Sequence, residues 1–504
     1  MIQSLSLKTC LISGLLAATA LVSRAEAGDT PALRVATANL AGVYKNLKGS
    51  PLGSIYQNAK VKEYLEQFVK PMGVSLTGTA NKAAIDALDR LLLNADGPAQ
   101  LAIPKMSADR NKPPGFAVIV GTSKPASVLK DAQAVLKSAP KGSLDEKTSA
   151  EGGKKTVTYT VKTDGKGAPA ARFPFDRLTL VEGSGSVLIT SLDAAAAQAL
   201  VGGDAPDAPR DGVWIHAVGG ALRPLLKSAG DLVPSSPAEV TIKTAKTGLV
   251  LTAKFPGANR DEAPFRYLGA VPATVPRPGL PGAHTESAAT LNIAGLWDTT
   301  WATIQKRSPV EYFAYHATLL EFEKNLGVKI AAELIPALDG SAALYGAAGG
   351  DVIVFKVAKD EPVKKALTGL AAMGGGATDK EAGLYEIAFG ERGAAQAMQG
   401  STWYARLTGG FLALSTNAGL LKSFPAAPGS EKASGPVAST VDVQRAWAAY
   451  HAAWQAQSIA KKQGRVSPFP PAALGGRLGR LTVQSSNLGG DLTIVADLTY
   501  AKGT

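Results

Sequence analysis

The order of segments in the first half of this 504-residue chain is written again in the second half. That repetition limits the folds open to it more than any other feature. "ANLAGVY" (38–44) faces "LNIAGLW" (291–297), and "ADGPAQLAI" (95–103) faces "LDGSAALYG" (338–346). "FAVIVGTSKPASVLKDAQAVL" (116–136) faces "DVIVFKVAKDEPVKKALTGLA" (351–371), each a strand followed by a helix with Pro125 or Pro362 in its first turn. "LTLVEGSGSVLITSLDAAAAQAL" (178–200) faces "ARLTGGFLALSTNAGLLKSF" (405–424), each a glycine-turned hairpin leading through Ser, Thr, Asn or Asp into a helix. Polar Pro/Gly loops follow at 202–212 and 425–436. The copies close with "AEVTIKTAKTGLVLTAKF" (238–255) and "GRLTVQSSNLGGDLTIVADLTY" (479–500), alternating strands around glycine turns. Each pairing alone is weak evidence. Their common order predicts a duplication of about 220 residues per copy.

Between the copies lies 256–284, with prolines at 256, 264, 272, 276, 278 and 281. Proline at that density blocks helix and central strand, so 272–282 predicts a stiff extended linker. The expected domains are a signal peptide at 1–27, a first repeat half at 28–256, a Pro-rich linker at 257–283 and a second repeat half at 284–504. Hairpins dominate, and helices fall between pairs of strands. The predicted class is therefore α+β: two tandem homologous halves, each a mainly antiparallel sheet with helices packed on one face. Long helices are predicted near 55–70, 310–326 and 441–463.

The first 27 residues read as a secretory signal peptide. Lys8 supplies the positive start, 11–22 the apolar run, and Ala25-Glu26-Ala27 a small-x-small cleavage site, with cleavage after Ala27. No later apolar run is long enough to span a bilayer. An exported protein, periplasmic or extracellular, is expected. The single cysteine, Cys10, precedes the apolar run and not a lipobox position, and cleavage removes it. Disulfides, thiolate nucleophiles and cysteine metal sites are thereby excluded from the mature chain. The formal charge is +12; Lys8 and Arg24 against Glu26 account for one unit, leaving +11 on the mature chain. That excess favours an anionic envelope surface or polysaccharide as partner. The basic residues are scattered, without the basic stripe and interleaved aromatics of a nucleic-acid binder, so nucleic acid is disfavoured.

Candidate chemistry is sparse. His216, His284, His316 and His451 are the four histidines, and no H-E-x-x-H or His pair at i, i+4 occurs. His216 reads as a strand residue, His316 and His451 as packing on helices. No G-x-S-x-G elbow, Walker loop or strand-following G-x-G-x-x-G is present, and "EGSGSV" (182–187) is a turn between strands. Ser127-x-x-Lys130, Lys246-Thr247-Gly248 and Ser485-Ser486-Asn487 spell fragments of a penicillin-recognising serine site. Their contexts (an amphipathic helix, a hairpin tip and the other half of the chain) disagree with it. Asp96 and Asp339 recur before glycine at equivalent places, the signature of a turn. No catalytic residue, metal ligand, ligand-binding residue or cofactor is assigned.

Aromatic residues on predicted helices are the remaining lead. Trp297, Trp301, Tyr312, Phe313, Tyr315, Phe322, Trp447, Tyr450 and Trp454 follow helical spacings, which favours a core stripe. The alternative is a groove for a hydrophobic ligand. The signal segment, the strand–helix opening, the glycine hairpin with Ser/Thr and the duplicated halves resemble exported bacterial proteins of a domain-of-unknown-function family in planctomycete-like genomes. That resemblance implies architecture and carries no activity or site residues. The expected function is an exported non-catalytic binding or scaffold protein. A carrier of a lipid or other apolar ligand is the alternative, and a hydrolase with dispersed catalytic residues the second.

Overall fold

Asparagine opens helices at equivalent places on both sides of the centre. Asn39 precedes α1 (Leu40–Lys48), and its Oδ1 accepts from the Gly42 amide at 2.8 Å. Asn292 precedes α6 (Ile293–Arg307) and accepts from the Gly295 amide at 2.9 Å. Each side chain satisfies a first-turn amide that has no partner within the helix. The turn is made at the asparagine, and the glycine lies inside the first turn. A Cβ there would sit 2.9 Å from Asn39 Nδ2 or 2.3 Å from Asn292 Nδ2, so glycine makes room for the cap. Asn39→Ala and Asn292→Ala are each expected to cost about 1 kcal/mol. Amide exchange at Gly42 and Gly295 should quicken in the variants; unchanged protection would show that the side chain is not what holds the helix start.

The computed structural model describes residues 31–57, 79–105, 115–137, 143–151, 154–162, 175–201, 208–217, 237–256, 267–269, 271–374, 378–379, 383–388, 402–460, 477–488 and 491–501. The expected signal peptide, most of the helix expected at 55–70 and residues 257–266 lie outside them. The chain divides into two compact units. The first is built on Leu16–Gly257, with Trp454–Gly479 and Asp497–Thr504; the second is built on Ala258–Ala453 and Arg480–Ala496.

In chain order the first unit carries β1 (Leu33–Thr37), α1, α2 (Pro51–Gln57), α3 (Thr79–Asn94), β2 (Ala99–Ile103), β3 (Ala117–Gly121), α4 (Pro125–Lys137), β4 (Leu144–Glu151), β5 (Lys154–Val161), β6 (Arg177–Glu182), β7 (Ser186–Thr190), α5 (Ala194–Val201), β8 (Gly212–Ala217), β9 (Ala238–Ala245) and β10 (Gly248–Phe255). Its strands pair antiparallel throughout, in the order β4-β5-β6-β7-β3-β2-β1-β8-β9-β10. Tight turns set the hairpins: Gly185 takes φ +84° between β6 and β7, and Lys246-Thr247 is the tip between β9 and β10.

The second part of the chain carries β11 (Thr274–Arg277), β12 (Thr285–Thr290), α6, α7 (Pro309–Leu326), a π turn (Ile330–Leu334), a 3-10 turn (Ile335–Ala337), β13 (Leu338–Ala347), β14 (Gly350–Val357), α8 (Asp360–Gly374), β15 (Thr378–Asp379), β16 (Leu384–Ala388), β17 (Thr402–Thr408), β18 (Phe411–Ser415), α9 (Ala418–Ser423), β19 (Gly429–Lys432), β20 (Val437–Asp442), α10 (Val443–Ala460), β21 (Leu478–Leu488) and β22 (Asp491–Tyr500). Its main sheet is again antiparallel, in the order β15-β16-β17-β18-β14-β13-β12-β20-β21. With β11 and β19 set aside, these strands run in the same order by rank as β4 to β9 of the first sheet. The class is α+β with extensive antiparallel sheet.

Helices cover both faces of each sheet, which corrects the expectation of one covered face. On β3 of the first unit, Val118 and Val120 pack with Val128 and Leu129 of α4, while Ala117 and Ile119 pack with Ala197 and Val201 of α5. On β18 of the second, Leu412 and Leu414 pack with Val363 and Leu367 of α8, while Phe411 and Ala413 pack with Leu421 and Phe424 around α9. The central strands are apolar on both sides ("FAVIVG", "FLALS"), so both sides must leave water.

The stiff extended linker expected at 272–282 is extended only over 274–277 and turns at 281–282, and it is packed. Residues 274–277 pair with 429–432 as a two-stranded ribbon, and Val275 and Leu280 are buried. Proline is tolerated there because a ribbon edge leaves its missing N–H without a ladder partner to disappoint. Beneath it Tyr345 is fully buried, its hydroxyl donating to the Pro276 carbonyl at 3.2 Å. Arg277 pins the ribbon through Glu286 at 2.5 Å and Glu431 at 2.7 Å.

Candidate functional site

Two concave places stand out, one in each unit. The second unit's is a groove of about 450 Å³ between α6, α7 and the π turn. Ser308 separates the helices: it is the C-cap of α6 and the N-cap of α7, with Pro309 at the first helical position. That single-residue joint folds α7 back beside α6. Gly327 at φ +69° then ends α7, where a left-handed residue is needed. The π turn follows, tied by the Ile330 amide donating to Glu323 Oε1 and the Lys329 amide to Glu333 Oε2, each at 2.7 Å.

Aromatic rings form the groove's wall. Trp297 and Trp301 meet edge to face at 5.7 Å, and Trp301 meets Tyr312 likewise at 5.7 Å. His316 closes the cluster, 6.1 Å from Trp301 and 6.0 Å from Tyr312. Leu319 and Ala302 extend the apolar lining, and Asp298, Gln305, Glu323 and Lys329 supply polar groups. Size and lining fit a small-molecule site: mostly apolar surface with a few polar groups to orient a ligand.

The aromatic stripe expected as core is therefore divided. Trp447 is buried and Tyr450 half-buried on α10, whereas Trp454 lies outside the described side chains. Trp297, Trp301 and Tyr312 are half-buried around the groove, and Phe313, Tyr315 and Phe322 face solvent. His316, read from sequence as helix packing, is exposed at the groove wall. Periodicity brought Trp297 and Trp301 to one face but grouped Tyr312 with Tyr315 and Phe322, which do not line the groove, and it cannot say whether another element covers a face. Asp298, Glu323 and Lys329 were not singled out as ligand contacts; Asp298 and Glu323 lie within two helical turns of the aromatic cluster, whereas Lys329 follows the end of α7 and gave no such signal.

The equivalent position in the first unit is used differently. Tyr44, which occupies the place of Trp297 after the capped turn, donates its hydroxyl to Asp89 of α3. Lys48 reaches the same carboxylate at 2.5 Å. Hydrogen bonds from Lys48 and then Tyr44 hold the Asp89 carboxyl below its ordinary value. This polar tie joins α1 to α3.

The first unit's cavity, about 680 Å³, has a mixed lining, with Thr37, Asp96, Gln100, Thr122 and Ser123 beside Ile119 and Val201. Asp96 is occupied: the Ser123 amide donates to Oδ1 at 2.8 Å and the Ser123 hydroxyl to Oδ2 at 2.6 Å. Those bonds lower its pKa and close the loop after β3. Asp339 accepts from the Ser341 amide at 2.8 Å and makes the expected local turn, whereas Asp96 ties its segment to a residue 27 positions away.

The remaining chemical candidates do not converge. Ser127 and Lys130 are exposed on α4, while Val128 and Leu129 between them are buried. Ser485 exchanges hydrogen bonds with the Val437 backbone, accepting at 2.7 Å and donating at 3.0 Å. His216 stacks on Trp214 at 5.7 Å, and burial, reinforced by Arg34, lowers its pKa. His284 lies within 3.1 Å of Thr285 Oγ1 and is lowered first by burial, then by Arg445. At the groove, Asp298, His316 and Glu323 share a lining, but no hydrogen bond among the described residues joins them. That lining contains no Ser, Thr or Cys. Among the described residues no group of three His, Cys, Asp or Glu is placed to hold a metal ion, and no helix is long and apolar enough to cross a membrane.

No family model and no curated protein matches the chain. Solved structures similar to it include crystal form III of TP0453, at 12% identity and TM-score 0.26, covering 50% of this chain and 86% of that one. Crystal form I of TP0453 has 12% identity and TM-score 0.22, covering 47% of this chain and 76% of that one. At these scores the overlap says nothing of what the chain binds.

Proposed function

We propose that this chain is an exported, non-catalytic binding protein that takes an elongated apolar ligand in the groove between α6 and α7. The observation that carries the reading is the Trp297–Trp301–Tyr312 cluster: large rings lining an open groove instead of filling a core. Such rings offer apolar area at low conformational cost, and the flanking Asp298, Gln305 and Lys329 suit the polar end of an amphiphile. Export is supported by the n-region, apolar run and Ala25-Glu26-Ala27 of the leader.

The two units are copies of one ancestral module, on this reading. Supporting that are the common rank order of paired strands and the Asn-x-x-Gly caps at 39–42 and 292–295. After duplication, one copy closed the position following the cap with the Tyr44–Asp89–Lys48 tie, and the other opened it into the groove.

Native mass spectrometry after gentle extraction should reveal an adduct of lipid mass. A fluorescent fatty-acid probe should bind the purified protein, and Trp301→Ala should weaken it by about tenfold, because one large buried ring face is removed. A clean unliganded mass together with probe binding indifferent to Trp301→Ala would sink the assignment.

A further inference from the structure

The groove between α6 and α7 has a charge balance opposite to that of the chain. Two carboxylates, Asp298 and Glu323, line it against the single ammonium of Lys329, although the chain as a whole has a formal charge of +12. Lys306 of α6 and Lys324 of α7 are exposed and stay out of the lining. A concavity of local negative excess favours a cation and opposes an anion. Glu323 is also held in place, because its Oε1 accepts from the Ile330 amide at 2.7 Å.

The rings narrow the kind of cation. Trp301 stands at 62° to Trp297, at 87° to Tyr312 and at 76° to His316. Rings at such angles form the walls of a corner, where a stack would form a flat platform. Trp297, Trp301 and Tyr312 are each half-buried, so ring surface is left for a ligand. An aromatic face attracts a cation within about 6 Å of its centroid, and Trp does so best. A primary ammonium set against a ring gives up hydrogen bonds to water that the ring does not replace. A quaternary ammonium has no N–H to satisfy, and its methyl groups spread the charge over an apolar surface that packs on rings. Methylated nitrogen therefore suits both the ring walls and the carboxylates.

We propose that the groove selects amphiphiles whose head carries a quaternary ammonium. Trp297, Trp301 and Tyr312 surround the methyl groups, and Asp298 and Glu323 supply the counter-charge. This selection rests on the reading of the groove as an amphiphile site and adds the chemistry of the head. A fatty acid is then held by its tail alone, its carboxylate being the least favoured head.

Isothermal titration of the full chain with three amphiphiles of equal tail, each below its micelle concentration, separates head from tail: decyltrimethylammonium, decyl maltoside and decyl sulfate. All three should bind through the tail, the ammonium about tenfold more tightly than the maltoside and the sulfate most weakly. Trp301→Leu keeps an apolar side chain without a π face. It should bring the ammonium down to the affinity of the maltoside, which itself should change far less. Asp298→Asn with Glu323→Gln should shrink the ammonium advantage and strengthen the sulfate. Asp298 is exposed, and glutamine at 323 keeps an oxygen for the Ile330 amide, so the fold is not at stake. Added salt should narrow the gap between ammonium and sulfate. Equal affinity for the three heads, or an ammonium advantage untouched by Trp301→Leu, would overturn the head assignment and leave the groove as a site for tails. Failure of all three to bind would remove the groove reading itself, and the head assignment with it.

Discussion

Tyr345→Ala is expected to destabilise the second unit by about 3–5 kcal/mol, the cost of emptying a large aromatic site in a packed core. Tyr345 is fully buried on β13, at the centre of a cluster that includes Val275, Leu280, Phe411 and Phe424. It stands between the main sheet and the β11–β19 ribbon, so nothing flexible is available to collapse into the void. Gly279 already approaches so closely that a Cβ there would lie 2.7 Å from the ring. Burial, aided by the charge of Glu286, raises the hydroxyl's pKa far above its ordinary value, so it stays a neutral donor to Pro276. Tyr345→Phe keeps the ring and loses only that bond, at about 1 kcal/mol. Peptide-level hydrogen exchange should show protection lost in β11, β13 and β14 for the alanine variant and largely kept for phenylalanine. Equal losses in both would mean that the hydrogen bond, not the packing, holds the ribbon down.

Gly340→Ala is the second large effect, about 2–3 kcal/mol. Gly340 sits at φ +86° in the irregularity between Leu338 and Ala342 that shifts the register of β13 on β14. A Cβ would lie 2.5 Å from the Leu291 carbonyl oxygen, while the Leu291 amide donates to the Gly340 carbonyl at 2.8 Å. Both the left-handed backbone and the close approach penalise any side chain. The penalty would be relieved by opening the junction that leads into the Asn292 cap, so thermal unfolding and the exchange rate of the Gly295 amide should change together. Asp339→Ala, which removes only the acceptor for the Ser341 amide, should cost less, about 1 kcal/mol. If alanine at 340 were no worse than alanine at 339, the backbone argument would fail.

What could be read before the structure was local. The Asn-x-x-Gly helix starts, the Gly185 and Lys246-Thr247 hairpin turns and the Asp339 turn all involve partners a few residues apart, so the residues that make the contact stand side by side in the chain. Those elements also exposed the false serine-enzyme motif, because Ser127 and Lys246 fell on a helix surface and a hairpin tip. In the Pro-rich stretch the extended reading holds for 274–277 and fails at the turn of 281–282. Its packing depends on 429–432, more than 150 residues away. The groove was half legible, since helical spacing put Trp297, Trp301, Tyr312 and His316 within reach of one another.

By itself, then, the sequence determined the kinds of element and the α+β class, because propensity, capping and turn chemistry act over a few residues. Only the tertiary structure decided that helices cover both faces of each sheet, that the ribbon at 274–277 seals Tyr345, and that the aromatic helices line a groove. Each of those outcomes depends on which distant segment arrives to exclude water from a surface. A pattern of apolar residues declares that such a surface exists, and it carries no information about what covers it.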